Sequence, residues 1–198
     1  VPQYSNVTLT GSVLAPPFNG SAGGIIAFDV AGTMNFNGQT IDASARGFRG
    51  GFSFKNVTSE STNYYNYVLS SSDANSYRAT AKGEGVVGSA KNMWDGFVQV
   101  INTTEGLPNG SLGRGAPGNG GGGGSDINSG GGGGGNGGTG GAGGNGCCPT
   151  TAVAGGRPGS TTGAFTPTRL FMGGGGGAGE VNDADLGDSG GVGGGIIL

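Results

Sequence analysis

The chain has 198 residues, of which 52 are glycine, and its formal net charge is −3. It contains no histidine, which excludes catalytic sets that need an imidazole and zinc sites with histidine ligands. Its few basic residues are dispersed along an acidic chain, which argues against a nucleic-acid-binding surface. No apolar stretch approaches the ~18 residues of a transmembrane helix.

The N-terminal part of the chain has the pattern of short β-strands. Its Val, Ile, Thr and Phe residues fall in four runs with glycine or asparagine corners: residues 7–10, 25–30, 33–37 and 39–43. Such side chains suit a pleated surface, and this spacing is typical of a β-solenoid or a sandwich. Residues 72–81 and 90–94 are the two candidates for a short helix. We predict a mostly β fold, with a β-solenoid coil of the parallel β-helix type over residues 1–51.

A repeated motif links the two ends of the sequence. Residues 23–27 read GGIIA, and residues 194–198 read GGIIL. We therefore predict that the chain leaves the coil, makes a long excursion and starts a further β coil at residues 193–198. Because an apolar half-strand leaves edge groups unpaired, we also expect the sequence to be a segment of a longer polypeptide.

Residues 52–104 are predicted to form an inserted lobe with a small core of its own. The lobe is rich in aromatic residues, which are Phe52, Phe54, Tyr64, Tyr65, Tyr67, Tyr77, Trp94 and Phe97. The alternative interpretation of these rings is a platform on which the apolar faces of sugars stack.

Residues 105–192 form the glycine-rich region. Residues 101–198 hold 39 of the 52 glycines, and the runs are interrupted by Asn, Ser and Thr and by a few apolar anchors. One interpretation is a flexible linker, because glycine chains have high entropy and little to bury. The interpretation we favour is a bundle of extended left-handed helices with three residues per turn, the polyglycine II type, whose backbones exchange hydrogen bonds.

Two clusters are candidate sites. Cys147 and Cys148 are adjacent, and they form either a vicinal disulfide or two reduced, buried thiols. Asp183, Asp185 and Asp188 offer hard oxygen ligands that suit calcium, or else they are solvated turn carboxylates. The sequence indicates no catalytic residue and no cofactor other than this possible calcium ion.

Five segments together resemble a known class of proteins: VPQY at residues 1–4, GGIIA at 23–27, IDASARGFRGG at 41–51, GRGAPGN at 113–119 and GGGIIL at 193–198. They resemble the glycine-rich β-helix segments of large secreted surface proteins of Bacteroidota. Many of those are exported by the type IX secretion system, and some are adhesins linked to gliding. The glycine runs also look like the polyglycine tips of phage tail-fibre adhesins and the glycine-rich domain of some receptor kinases.

The resemblance implies a non-catalytic, extracellular, structural or adhesive protein of the cell surface. Its expected partners are the secretion translocon and outer-membrane components, together with surface glycans or neighbouring surface proteins. One alternative is a polysaccharide lyase or hydrolase on a β-helix, which requires an acidic cleft. Another is a flat-surface binder, either an adhesin of the phage-tip type or an ice-binding protein.

Overall fold

Short β-strands are the regular secondary structure of this chain. The computed structural model describes residues 1–53, 66–72, 79–103, 105–107, 110–125, 128–146, 154–163, 166, 168–181 and 187–198. Every regular element within these ranges is a strand of two or three residues, which confirms the prediction of a mostly β chain. The described residues contain no helix that is long and apolar enough to cross a membrane.

Eleven strands are present in the described part of the chain. In chain order they are β1 (Gln3–Tyr4), β2 (Val7–Thr8), β3 (Val13–Leu14), β4 (Ile25–Ile26), β5 (Asp29–Val30), β6 (Met34–Asn35), β7 (Ile41–Asp42), β8 (Gly50–Gly51), β9 (Asn92–Trp94), β10 (Gln99–Ile101) and β11 (Ile196–Ile197).

Strands β1, β2 and β3 pair in parallel with β5, β6 and β7, respectively. Side chains support the same register between the strands. The amide oxygen of Asn6 accepts a hydrogen bond of 2.8 Å from the backbone of Thr33, 27 residues later. The Thr40 hydroxyl donates to the Ser12 hydroxyl over 3.1 Å, across 28 residues. Two successive stretches of chain therefore lie side by side in the same direction.

The repeated GGII motif corresponds to a pair of parallel strands. Strand β11 pairs with β4, so that Ile196 lies opposite Ile25 and Ile197 lies opposite Ile26. The amide of Ile196 donates to Gly24 O over 2.8 Å, and the amide of Gly195 donates to Ala43 O over 2.7 Å. The end of the glycine-rich region thus returns to the strands from which the chain departed after β7.

Strands β8, β9 and β10 form an antiparallel sheet with β9 in the centre. The expectation of a short helix at residues 90–94 is wrong, because β9 occupies part of this range. Met93 is fully buried and its two neighbours in β9 are half-buried, which is the alternation of a strand with one face on a core. The other helix candidate, residues 72–81, lies mostly outside the described residues.

Two small apolar cores lie in the described chain. The first is between the parallel strands and consists of Ala15, Ile26 and Ala43, with Val13, Phe28 and Ile41 packed against them. The second is beside the antiparallel sheet and consists of Leu69, Ala79, Ala81, Ala90, Met93, Leu107 and Leu112. Five of the ten buried members are alanine, so apolar burial is modest and the rest of the fold depends on backbone hydrogen bonds.

Candidate functional site: the packed glycine runs and their surfaces

The glycine-rich stretches lie side by side and exchange backbone hydrogen bonds. We number them in chain order as run 1 (residues 119–125), run 2 (129–135), run 3 (140–144), run 4 (154–160), run 5 (173–180) and run 6 (188–195).

Run 5 shows the hydrogen-bond pattern most completely. The amides of residues 173, 176 and 179 donate to run 6, and those of residues 174, 177 and 180 donate to run 2. The amides of residues 175 and 178 donate to Glu84 O and Ala81 O. All eight bonds measure 2.8 to 3.0 Å. Because every third amide donates to the same neighbouring segment, the backbone conformation of run 5 repeats every three residues.

Run 1 lies at the centre of the assembly. Its residues 121–125 are buried. Gly121 donates to run 5, Gly122 donates to run 4, and Gly123 donates to Gly113 O. In the other direction, run 1 accepts bonds from Gly132 of run 2 and from residues 80 and 83. A stretch of chain with no apolar side chain is thus buried because its polar backbone groups are paired.

Close packing of backbones explains why these positions are glycine. A Cβ atom on Gly122 would fall on the carbonyl group of Arg114, and one on Gly177 would fall on that of Gly122. A Cβ on Gly132 would fall on the carbonyl group of Arg157. Neighbouring backbone cannot move aside as a flexible side chain can, so only glycine fits at these contacts.

A few buried polar side chains join the runs to their surroundings. The Asn119 amide oxygen accepts a 2.8 Å bond from Val86 N, and its nitrogen donates over 3.1 Å to Met172 O. The Thr80 hydroxyl donates over 2.7 Å to Ala178 O. Arg49 and Glu84 form an ion pair of 2.9 Å, with both residues less than 5 % exposed. These contacts link run 1, run 5 and the strand region.

Lys82 is a buried ionisable group at the edge of the runs. Burial lowers its pKa to about 8, and the charge of Glu105 opposes this shift. Burial raises the pKa of Glu105, but hydrogen bonds from Ser111 and Ser71 outweigh burial and bring it below its usual value. The Glu105 carboxylate accepts a 3.1 Å bond from Ser111 N and a 3.3 Å bond from the Ser71 hydroxyl, so it ties two loops together.

A groove of about 450 Å³ lies on one side of the assembly. Its walls are run 2 and run 6, and run 5 forms its floor. Most of its lining residues are glycines, and its polar and charged residues are Asn128, Ser129, Glu180, Asp188 and Ser189. This surface offers amide and carbonyl groups rather than a set of catalytic side chains.

A smaller cavity of about 190 Å³ lies between the start of run 1 and the chain just after run 4. Thr161, Thr162, Arg169 and Phe171 line it together with Val86. The Arg169 guanidinium lies 5.1 Å from the centre of the Phe171 ring. Val86 and the neighbouring Val87 are exposed in a tight turn, closed by hydrogen bonds between Gly85 and Gly88. The cavity combines an aromatic face with hydroxyl and guanidinium groups.

Most of the residues singled out in the sequence fall outside the described ranges. Cys147, Cys148, Asp183 and Asp185 are in this category. Asp188 is described and exposed, and its backbone oxygen accepts a 2.9 Å bond from Gly179. The described residues contain no group of three potential metal ligands, and the calcium and disulfide hypotheses remain predictions.

The described aromatic residues do not form one continuous platform. Phe52 packs against Trp94 with ring centres 6.2 Å apart, whereas Phe97 is 74 % exposed. The Tyr67 ring contacts two guanidinium groups, that of Arg114 at 5.0 Å and that of Arg157 at 5.7 Å. The remaining aromatic residues of the predicted lobe, Phe54, Tyr64, Tyr65 and Tyr77, lie outside the described residues.

Sequence reasoning missed the buried Arg49, Glu84 and Asn119. Arg49 and Asn119 lie in two of the segments that carry the resemblance, but nothing there marks them as buried contacts, and Arg49 and Glu84 are 35 residues apart. The one signal in the sequence was the scarcity of charge, since only 11 % of the residues are charged. In such a chain, a charged residue beside a glycine run is a candidate for a specific contact.

No protein-family model matches this chain, and no curated protein and no solved structure is significantly similar to it.

Proposed function

We propose that this chain is a non-catalytic structural or adhesive segment of an extracellular surface protein. The observation that carries the proposal is the three-residue repeat of hydrogen bonds in run 5, which joins three separate parts of the chain. A projection cross-linked through its backbone resists bending and local unfolding, because many bonds must break together. Such a projection is suited to hold a contact surface rigidly in place.

In this proposal the strand region is a β-solenoid of two coils. The parallel pairs β1–β5, β2–β6 and β3–β7 support it, and β11 takes in the second coil the place that β4 takes in the first. The chain between β7 and β11, which includes the glycine-rich region, is then an insertion between the last two strands of the second coil. Its two ends lie together, since Gly47 N donates to Gly193 O over 2.7 Å. The coil anchors the projection at both ends.

The glycine runs of this proposal are polyglycine II helices packed in a bundle. Such a helix has three residues per turn and no internal hydrogen bonds, so its amides and carbonyls are available to neighbours on all sides. The repeat of run 5 and the several partners of run 1 support this assignment. Each ordered residue costs roughly 1–2 kcal/mol of conformational entropy, and the paired backbone groups offset this cost.

The adhesive contact is assigned to the cavity lined by Thr161, Thr162, Arg169 and Phe171. An aromatic ring stacks on the apolar face of a sugar, while hydroxyl and guanidinium groups bond its hydroxyls. The partners are therefore surface glycans, or neighbouring surface proteins that carry them. An extracellular location and export by a type IX-like system, with its translocon and outer-membrane components, rest on the resemblance of the sequence to secreted Bacteroidota surface proteins.

A panel of bacterial surface polysaccharides tests the proposal. The intact chain is incubated with each polymer, and both its retention on the polymer and the polymer's chain length are measured. We expect retention on at least one polymer, unchanged polymer length, and weaker retention for Phe171→Ser. Val98→Ser, at an exposed apolar position outside the cavity, is the control. Shortening of a polymer would show a hydrolase or lyase instead, and no retention on any polymer would overturn the adhesive assignment.

A further inference from the structure

The groove on the glycine assembly is a vacant position beside run 5. Five segments already surround this run through hydrogen bonds: run 6, run 2, residues 81–84, run 1 and residues 48–51. The carbonyls of Gly174 and Gly177 receive no hydrogen bond from any described residue. These two carbonyls are three residues apart, which is one period of run 5, so they point to the same side of the run. The groove between run 2 and run 6 lies along that run.

Unpaired amides on run 2 accompany these carbonyls. Gly131 N and Gly134 N donate to no described residue, although the other glycine amides of run 2 are paired. Gly191 N and Gly194 N of run 6 are likewise without a partner among the described residues. Gly131, Gly177 and Gly191 line the groove. The unpaired groups of Gly134, Gly174 and Gly194 continue the same rows beyond it at intervals of three residues, which is the repeat of a further extended glycine chain.

At four surface positions the described fold does not require the residue to be glycine. A Cβ atom on Gly141, Gly144, Gly191 or Gly194 would meet nothing within 4 Å, and none of them has a left-handed φ. Neither packing nor backbone strain thus requires glycine at these places. A bare backbone on an exposed surface permits the close approach of another backbone. Gly191 and Gly194 are on run 6, and Gly141 and Gly144 are on run 3.

Run 3 forms a ridge that matches the groove. Its hydrogen bonds in the described structure go to runs 2 and 4 alone, and its residues 141, 142 and 144 are exposed. The bare glycines of run 3 are three residues apart, as are those of run 6, so each pair lies on one side of a three-residue helix. Run 3 carries no charge, and its insertion would not oppose the carboxylates of Glu180 and Asp188.

We propose that the groove formed by runs 2, 5 and 6 binds run 3 of a second copy of this chain. The proposal rests on the bundle of the proposed function and names a partner for it. Ridge and groove are different surfaces of the same molecule, so each copy that offers its ridge still has a free groove. Such a heterologous contact gives an open row of copies, or a ring where the rotation between copies closes, rather than a twofold dimer.

Two variants block the two sides of this contact separately. Gly191→Leu places a large side chain in the groove, and Gly141→Leu places one on the ridge. Because a Cβ at either position meets nothing within the chain, we expect both variants to fold with a Tm no lower than that of the unmodified chain. Gly11→Leu is the matched control, since Gly11 is also an exposed glycine whose Cβ would meet nothing.

Sedimentation velocity over a series of concentrations measures the association. We expect the unmodified chain and Gly11→Leu to form a series of species larger than 18.9 kDa, and each blocking variant to associate at least about tenfold more weakly. A mixture of the two blocking variants should form a one-to-one dimer that does not grow, because one retains its ridge and the other its groove.

Three results would overturn this inference: an unmodified chain that stays monomeric at every concentration, a blocking variant that associates as the unmodified chain does, or a mixture that forms no dimer. Amide hydrogen exchange on the same samples separates this failure from failure of the proposed function. Protected glycine runs in a monomer would contradict the contact and leave the bundle intact, whereas unprotected runs would contradict the bundle itself.

Discussion

Arg49 and Glu84 are joined by four hydrogen bonds, two from the guanidinium and two involving the backbone. The guanidinium donates to both carboxylate oxygens over 3.0 and 2.9 Å. Arg49 N donates to the same carboxylate over 3.0 Å, and Glu84 N donates to Arg49 O over 2.9 Å. Since Gly175 of run 5 also donates to Glu84 O, this pair connects the strand region to the glycine runs.

Removal of one partner of this pair should be strongly destabilising. Arg49→Met or Glu84→Met leaves the other group buried without its counter-charge, and we expect a loss of about 3–5 kcal/mol in the free energy of unfolding. Replacement of both residues by Met should cost less than the sum of the single changes, because no charge remains buried.

Denaturant unfolding of the four proteins in a double-mutant cycle measures this coupling. Arg46→Met is the control, at a half-buried arginine three positions earlier, and it should change stability by about 0.5 kcal/mol or less. Single changes that cost no more than the control would show that the pair does not join the two regions.

Alanine substitution should separate the glycines that packing requires from those that it does not. Gly122→Ala forces a methyl group onto the Arg114 carbonyl, and overpacking of this kind costs about 1–3 kcal/mol or more. Gly141→Ala meets nothing, and the lower entropy of the unfolded chain should stabilise the protein by about 0.4–1 kcal/mol. Thermal unfolding of the two variants compares these effects, and equal values of Tm would contradict the packing of run 1.

Lys82 should make stability depend on pH in the alkaline range. Its pKa is about 8 in the folded chain and about 10.4 in an unfolded one. Between these values the unfolded state binds more protons, so the free energy of unfolding rises with pH. Below about pH 8 both states are protonated, and the buried charge lowers stability without any pH dependence.

The variant Lys82→Met removes this titration. We expect it to gain about 1 kcal/mol at pH 7, a value reduced because water still reaches part of the ammonium. Its stability should also lose the rise between about pH 8 and 10.4. Chemical unfolding at several pH values measures both effects, with Lys91→Met as the half-buried control. A variant with the same alkaline rise as the unmodified chain would show that Lys82 is not its source.

The strands were predictable as a class but not in their pairing. The Val, Ile and Thr residues of positions 7–10 and 39–43 indicated strands, because their branched side chains favour an extended backbone. Strands β1 and β3 were missed, since each has two residues and lies outside the longer runs of branched and aromatic side chains. The repeated GGII motif indicated the pairing of β4 with β11. Strands that pair at equivalent positions have similar neighbours, so the same residue types suit both.

The contacts that organise the glycine runs could not be predicted from the sequence. Every glycine has the same chemistry, so the residue type predicts neither the hydrogen-bond partner of Gly122 nor the exposure of Gly191. The buried Arg49 and Glu84 depend on a register between distant segments, which is a property of the folded backbone. The glycine content indicated that backbone segments could approach each other closely. Only the structure shows which segments are in contact.

Residue-resolved amide hydrogen exchange by NMR on the intact chain tests the central claim, that the glycine runs are one hydrogen-bonded bundle. Slow exchange is predicted for all eight amides of run 5 and for Gly132 of run 2, which are paired. Faster exchange is predicted for Gly131 at concentrations where the chain is monomeric, because this amide has no partner among the described residues of its own chain. Uniformly fast exchange throughout the runs would contradict the bundle and show a flexible linker in its place.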